Sequence, residues 1–284
     1  MYKVGLSSCG FELKEEMFDG LQKAGISAIE ISMAAEKYKN INYKEVEALA
    51  AKYDIDLWSY HLPFWPFSEI DPSSLDESIR KNTITYFTEL IKKGSDIGID
   101  KFVIHPSGEP ISEEERPERM KYAMESLDAL AELASHNGAC LAVEDLPRTC
   151  LGNSAEDIMQ LTGVNDKLKV CFDTNHLLID NNLNFLDKLA EKIVTVHVSD
   201  YDFVNERHWL PGEGKLDWKA MIAKFREIGY KGIWMYEIGL KCPKTIIRDR
   251  DLTFTDFYNN AMEIFAGSEL TVIGRQKENL GMWE

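Results

Sequence analysis

Two kinds of stretch alternate along the whole chain, distinguished by the spacing of their apolar residues. Eight short runs are rich in β-branched and aromatic residues, as buried strands are; they read KVGLSS, SAIEIS, IDLWSYH, KFVIHPS, CLAVED, LKVCFD, IVTVHVSD and GIWMYEI. Between them, apolar residues recur every three or four positions, which predicts helices that pack through one face. The clearest helical stretches are residues 13–24, 75–97 and 117–136.

Glycine marks the ends of several predicted helices, at Gly25, Gly98, Gly138 and Gly229. Gly in this position is typical of a left-handed C-terminal cap.

Eight alternating units predict a parallel sheet covered by helices. Closure as a single-domain (β/α)₈ barrel, a TIM barrel, explains both the number of units and the length of 284 residues. A doubly wound open sheet is the alternative, but no GxGxxG motif follows an early strand.

The C-terminal stretch from about Gly267 has no strand-like companion. We expect it to extend the domain of residues 1–284 by wrapping the outside of the barrel or by contributing to a subunit contact. Trp283 is the expected anchor of this extension.

Acidic or imidazole residues end four successive strand-like runs: Glu144, Asp173, His197 and Glu237. Their separations are 29, 24 and 40 residues, close to one strand–helix unit each. Side chains at the C-terminal ends of barrel strands converge on the barrel axis. Three carboxylates meeting there, away from water, would repel one another unless a divalent cation joined them. The spacing therefore predicts a metal site.

The order of motifs resembles a known family. Glu ends strand 5, Asp-x-x-His strand 6 and His strand 7, and a Pro-Gly-x-Gly loop precedes the Glu of strand 8. With His-x-Pro at 61–63, His-Pro at 105–106 and PGEGKLDW at 211–218, this order is similar to that of the xylose-isomerase-like barrels. These barrels form the sugar phosphate isomerase/epimerase family, which includes ketose 3-epimerases and related dehydratases.

The resemblance implies roles for the four strand-end residues. Glu144, Asp173, His197 and Glu237 match the metal ligands of the family. Three oxygen ligands and one nitrogen suit a single Mn²⁺, Mg²⁺ or Co²⁺ ion, and Zn²⁺ is also compatible. The resemblance further makes Glu144 and Glu237 a catalytic pair of bases. Chemistry supports this, because removing a proton α to a carbonyl needs a nearby carboxylate and a cation that stabilises the enediolate. In the alternative interpretation, both glutamates are metal ligands only.

Three further histidines are candidate substrate-binding residues. His176 follows Asp173 by three residues, and the resemblance places it against a substrate oxygen. His61 and His105 close strands 3 and 4, where they can bind substrate hydroxyls. In nuclease relatives the corresponding region supplies more metal ligands, and a purely structural role is the third interpretation of this pair.

Two loops supply the remaining candidates. The loop VNERHWLPGEG after strand 7 corresponds to one that carries a substrate-binding arginine in related epimerases; Arg207 is the candidate, with His208 one position closer to the Pro-Gly. The segment HLPFWPF places Trp65 and two phenylalanines beyond strand 3, where aromatic faces can cover the C–H surface of a sugar. Arg148 is better explained by a surface ion pair.

Charge and composition restrict the partners. The net charge of −16 repels phosphate backbones and anionic lipid, so no nucleic acid or membrane partner is expected. No apolar stretch reaches the roughly 20 residues of a membrane span, and the N-terminus enters a strand-like run without a signal peptide pattern. Five cysteines without CxxC spacing indicate reduced thiols in a cytoplasmic protein. A homo-oligomer is possible, although no interface signature is visible.

These observations favour a metal-dependent isomerase or epimerase acting on a small carbohydrate or polyol. A dehydratase of a keto-cyclitol or related polyol is the alternative, because it begins with the same proton removal. An endonuclease IV-like phosphodiesterase and a non-catalytic sugar-binding barrel are the remaining hypotheses. The strand-8 loop carries Lys241 and Lys244 but no Gly-rich phosphate nest, so a substrate without phosphate is at least as compatible as a sugar phosphate.

Overall fold

The eight apolar runs form eight parallel strands in a computed structural model, which describes residues 2–278 and 280–282. The strands are β1 Val4–Ser7, β2 Ala28–Ile31, β3 Asp56–His61, β4 Lys101–Ile104, β5 Cys140–Glu144, β6 Lys169–Asp173, β7 Ile193–His197 and β8 Trp234–Tyr236. They are hydrogen-bonded in the order β7-β6-β5-β4-β3-β2-β1-β8. Val198, just after β7, closes the circle by donating its N–H to the carbonyl oxygen of Met235 at 2.8 Å. The predicted TIM barrel is confirmed, and the open sheet is excluded.

Helices follow the strands and cover the outside of the barrel. They are α1 Glu15–Ala24, a short 3₁₀ helix Ala35–Asn40, α2 Tyr43–Tyr53, α3 Glu77–Ser95, α4 Arg116–His136, α5 Ala155–Thr162, α6 Asn182–Leu189, α7 Trp218–Glu227 and α8 Phe254–Ala266. The three clearest helical predictions match α1, α3 and α4. All four predicted cap glycines have positive φ. At Gly25, with φ 84°, the left-handed turn lets the N–H of Ile26 donate back to the carbonyl oxygen of Leu21.

Alternation along the strands separates two apolar regions. Residues such as Phe172 and Trp234 point outward into the main core beneath the helices. Their neighbours point into the barrel, where two small clusters are separate from that core: Ala28, Ile233 and Met235, and Val103, Ala142 and Cys171. Two residues beyond Ala28, Val103, Ala142, Cys171 and Met235 the inward position is polar, and it lies at or next to the C-terminal end of its strand.

The C-terminal stretch forms a small antiparallel pair. After α8, Gly267 adopts a left-handed φ of 66° and the chain continues to β10, Arg275–Gln276. This strand pairs with β9, Ile246–Ile247, so the stretch does have a strand companion, which its two-residue length hid from the sequence pattern. Trp283, the expected anchor, lies outside the described residues.

Two further properties bear on the predictions. All five cysteines are free thiols. Within residues 2–278 and 280–282, no helix has the combined length and apolar character needed to cross a bilayer.

Candidate metal centre and pocket

The four predicted metal ligands meet at the C-terminal mouth of the barrel. Glu144, Asp173 and His197 are the last residues of β5, β6 and β7, and Glu237 directly follows β8. Glu144, Asp173 and Glu237 point inward because each lies two residues beyond a side chain inside the barrel, and His197 pairs with Asp173 across β6 and β7. One ligand atom from each of the four lies within 4.8 Å of the others. The structure therefore brings together the residues that the sequence separates by up to 93 positions, from 144 to 237.

Distances from one ring nitrogen define this group. The Nδ1 atom of His197 lies 2.7 Å from Oε1 of Glu144, 3.5 Å from Oε2 of Glu237 and 3.9 Å from Oδ2 of Asp173. Asp173 Oδ2 is buried and accepts no hydrogen bond. Within the described part of the chain, the ion-pair partners of the three carboxylates are all histidines, with no lysine or arginine to neutralise them. A buried, unpartnered carboxylate oxygen in such a group fits a divalent cation.

Histidines surround the group on two sides. Of the six in the chain, five lie here: His61, His105, His176, His197 and His208. His61 and His105 place their Nε2 atoms 3.1 and 3.0 Å from the second oxygen of Glu144. On the opposite side, Nε2 of His176 lies 3.2 Å from Oε2 of Glu206 and 3.7 Å from Oδ2 of Asp173.

Three of these rings are held through their other nitrogen. The Nδ1 atoms of His61, His176 and His208 lie 2.8, 2.7 and 3.1 Å from the carbonyl oxygens of Leu62, Asp145 and Glu237. A carbonyl oxygen only accepts, so Nδ1 carries the proton in each ring and donates it. The free Nε2 of His61 and His176 consequently faces a carboxylate, and each such contact needs either a second proton or a metal ion between the two atoms.

The pocket thus contains more than one possible ligand group. Besides the predicted quartet, His61, His105 and Glu144 bring one ligand atom each within 4.8 Å of one another, and so do His176, Glu206 and His208. Glu144 belongs both to the quartet and to the first of these groups, so it can bridge them.

The pKa values of the two predicted bases are displaced in opposite directions. Burial raises the pKa of Glu237, and the negative charge of Glu144 raises it further. Burial acts in the same sense on Glu144, but His197 and His105 outweigh it and hold the pKa of Glu144 well below its usual range. Two neighbouring carboxyl groups whose pKa values are shifted in opposite directions are typical of acid–base sites.

A cavity of about 740 Å³ opens above this group. Its wall includes Phe11, Phe64, Trp65 and Phe67, and Trp65 is 60% exposed. The ring of Phe64 stacks on His105 at 4.3 Å. The cavity is within the size range of small-molecule sites and combines apolar walls with a polar floor, as such sites do.

The predicted site residues reach this cavity unequally. Glu237, His105, His176 and Trp65 line it directly. Glu144, Asp173, His197 and His61 form the layer beneath, with almost no exposed surface. Arg207 is not brought to the cavity: its Nε donates to Oδ2 of Asp202 at 3.0 Å and its Nη2 to the carbonyl oxygen of Gly281 at 2.8 Å.

The residues on either side of Arg207 take the place predicted for it. Glu206 and His208 both line the cavity, and His208 adopts a left-handed φ of 49°. Arg148 also lines the cavity and forms ion pairs with Glu109 and Glu206. Its predicted ion pair is therefore present, but on the cavity wall rather than on the outer surface.

Two carboxylates of the site were missed in the sequence. Glu30 of β2 is fully buried, with Oε2 at 3.0 Å from Nε2 of His197. The run SAIEIS does carry a signal, because Glu30 is the one charged residue at an inward position of an otherwise apolar strand. Glu206 carries none, since a glutamate in a polar loop is indistinguishable from a solvated one.

Comparisons with known proteins agree with this architecture. The chain is 27% identical over 246 residues to an uncharacterized protein of Methanocaldococcus jannaschii, covering 81% of this chain and 82% of that protein. It is 22% identical over 256 residues to fructoselysine 3-epimerase of Shigella flexneri, covering 83% and 90%.

Solved structures show the same fold. A D-tagatose 3-epimerase-like protein superposes with a TM-score of 0.78 at 22% identity, covering 93% of this chain and 97% of the other. A 3-keto-D-glucoside 4-epimerase of E. coli gives 0.74 at 18% identity, covering 94% and 100%. The family model described as xylose isomerase-like TIM barrel matches residues 18–251. The chain therefore belongs to the xylose isomerase-like TIM barrel family, as the order of its motifs predicted.

Proposed function

We propose that this protein is a divalent-metal-dependent sugar isomerase or epimerase that removes a proton α to a carbonyl group. The observation that carries the proposal is Glu237, a cavity-lining carboxyl group that lies beside buried Glu144, Asp173 and His197. Similarity to fructoselysine 3-epimerase and to structures named as sugar epimerases supports the same reaction class.

The quartet is the proposed site of one metal ion. Glu144, Asp173, His197 and Glu237 offer three carboxylate groups and one imidazole, a set that suits Mn²⁺, Mg²⁺, Co²⁺ or Zn²⁺. A divalent cation bound there would supply positive charge next to the substrate oxygen that becomes negative when the α-proton leaves.

Glu237 is the base that we assign to the substrate carbon. Its carboxylate lines the cavity beside the proposed metal position, where it can reach a proton on a bound substrate. Glu144 is the proposed second base of an epimerisation. Because His105 lines the cavity and lies 3.0 Å from Glu144, a proton can pass between substrate and Glu144 along this imidazole.

Substrate orientation is assigned to the cavity wall. His176 and His105 present ring nitrogens that can bind hydroxyl or carbonyl oxygens, and Trp65 offers an apolar face to the C–H surface of a sugar. His61, which lies beneath the cavity floor, is assigned to holding Glu144 rather than to substrate contact.

The test is solvent exchange during turnover. Purified protein is incubated in D₂O with a panel of ketoses and Mn²⁺, Co²⁺ or Mg²⁺, and the products are examined by NMR. We expect conversion of at least one sugar with deuterium at the carbon next to the carbonyl, and loss of both in Glu237→Gln. An enone absorbance would instead indicate elimination. Neither conversion nor label with any sugar and metal contradicts the proposal.

A second candidate function is metal-assisted hydrolysis of a phosphate ester. It is favoured by one observation: two further groups of ligand-type side chains lie beside the quartet, and one of them shares Glu144 with it, so that more than one metal ion could be held here. The net charge of −16 disfavours a long nucleic acid substrate. Metal content per chain, measured together with phosphate release from a small diester and from abasic DNA, separates the two functions. Two or three ions with phosphate release favour hydrolysis; one ion without release excludes it.

A further inference from the structure

Glu30 is a buried carboxylate that no step of the proposed reaction uses. It lies on β2, at an inward position directly above Ala28, and has no exposed surface. It does not line the cavity, so it cannot touch a substrate there. Burying a carboxylate in an otherwise apolar strand is unfavourable unless strong hydrogen bonds compensate.

Two hydrogen bonds converge on one oxygen of Glu30. The hydroxyl of Ser59 donates to Oε2 at 2.8 Å, and Nε2 of His197 lies 3.0 Å from the same atom. Because Ser59 already donates to this oxygen and a carboxylate accepts, the His197 contact is an Nε2–H donor bond.

This bond determines which nitrogen of His197 is available. With the proton held on Nε2, the lone pair of a neutral His197 lies on Nδ1. Nδ1 is the atom that faces Glu144, Glu237 and Asp173, at 2.7, 3.5 and 3.9 Å. A ring without this anchor could rotate or adopt the other tautomer, and either change removes the nitrogen from the ligand group.

We propose that Glu30 is a positioning residue that holds His197 by Nε2 so that Nδ1 is presented to the metal ion. The proposal rests on the proposed function for the presence of that ion. Glu30 also makes the imidazole a better donor, because a hydrogen bond from the remote N–H to a carboxylate raises the basicity of the ligating nitrogen. Ser59 supports the arrangement by fixing the carboxylate itself.

The test measures metal affinity rather than turnover. Dissociation constants for Zn²⁺ and Co²⁺ are determined by chelator competition for wild type, Glu30→Ala and Glu30→Gln. We expect Glu30→Ala to bind about 10–100-fold more weakly. Glu30→Gln should fall between, because an amide oxygen still accepts from Nε2–H but carries no charge.

Glu213→Gln is the matched control. Glu213 is another buried carboxylate, but it is paired with Arg248 outside the ligand group, so its replacement should leave metal affinity unchanged. A second readout is the Nε2–H proton of His197 in Zn²⁺-loaded protein. It should resonate far downfield in wild type and disappear from that region in Glu30→Ala.

The outcomes separate this proposal from the proposed function. Wild-type affinity and an unchanged proton resonance in a folded Glu30→Ala protein overturn the role of Glu30 alone. If Glu30→Ala does not fold, the isosteric Glu30→Gln decides by the same two measurements. Wild-type protein that binds no divalent metal contradicts the proposed function itself, and with it the positioning role.

Discussion

Two tiers of side chains fill the barrel, and they obey different rules although the same strands carry them. The lower tier contains Ala28, Val103, Ala142, Cys171 and Met235. The upper tier lies two residues further along these strands and contains Glu30, His105, Glu144, Asp173 and Glu237. Lower-tier residues are small or apolar and pack without polar atoms, apart from one thiol, whereas the upper tier concentrates charge and leaves Asp173 Oδ2 and Glu30 Oε1 without hydrogen-bond partners.

The fold assigns stability to one tier and chemistry to the other. The lower tier closes the barrel by packing, so it can hold the strand ends rigidly. The carboxylates of the upper tier repel one another unless a cation or protons neutralise them. A rigid scaffold is needed to hold them close together. Substitutions in the two tiers should therefore affect different measurable properties.

The largest effect should come from the upper tier. Glu237→Gln removes the proposed base, and we expect kcat on a converted ketose to fall by about 10³-fold, equivalent to roughly 4 kcal/mol of barrier. The free energy of unfolding of the metal-free variant should stay the same or rise, because a partly buried carboxyl group near Glu144 is removed. Steady-state kinetics and urea unfolding measure the two quantities. An unchanged kcat would contradict the proposed role of Glu237 as a base.

The lower tier should show the opposite pattern. Met235→Ala is expected to lower the free energy of unfolding by about 2–5 kcal/mol through the cavity that it leaves. The Met235 side chain fills the space next to Gly5: a Cβ added to Gly5 would lie only 2.7 Å from the Met235 methyl carbon. Met235→Leu, which roughly conserves volume, is the control and should cost less than about 1.5 kcal/mol. A Met235→Ala protein of wild-type stability would contradict the packing role.

Metal binding should also distinguish the two tiers. At about 100 times the dissociation constant, a divalent ion should add about 2.7 kcal/mol to the free energy of unfolding, and a chelator should abolish the gain. Met235→Leu should keep this increment and Glu144→Gln should lose it. An equal increment in both variants, measured by urea unfolding with and without metal, would show that the ion binds elsewhere.

The smallest expected effect is a pH dependence of the metal-free protein. Burial acts to lower the pKa of His61, but the Glu144 carboxylate outweighs it and raises the pKa to about 9. An imidazole ordinarily titrates near pH 6.5. The protonated ring thus stabilises the fold fully below about pH 6.5, and this contribution is lost as pH rises toward about 9. Chelator-treated wild type should lose stability across this window, and His61→Gln should show a shallower slope; parallel slopes would contradict the account.

Much of the architecture could be predicted because strand patterning is local. Eight apolar runs gave eight strands, and the barrel geometry then made Glu144, Asp173, His197 and Glu237 neighbours. Glu30 was accessible in principle, since alternation alone assigns it to the inside of β2. It was missed because a single glutamate in a strand carries no indication of a partner 167 residues away.

Loop geometry was not predictable in the same way. The Oδ1 atom of Asn175 accepts hydrogen bonds from the backbone N–H groups of Arg207 and His208, at 2.7 and 3.2 Å. These long-range bonds turn Arg207 away and bring its two neighbours to the cavity. No local pattern records such contacts, so the choice between Arg207 and His208 required the structure. The short β10 strand escaped prediction because two residues are too few to form an apolar pattern.

Anomalous diffraction from a crystal grown with Mn²⁺ or Zn²⁺ can show whether residues 144, 173, 197 and 237 share one divalent cation. We expect an anomalous peak about 2.0–2.3 Å from the Nδ1 of His197 and from oxygens of Glu144, Asp173 and Glu237. A fully occupied peak elsewhere, or none beside these four residues at saturating metal, would contradict it.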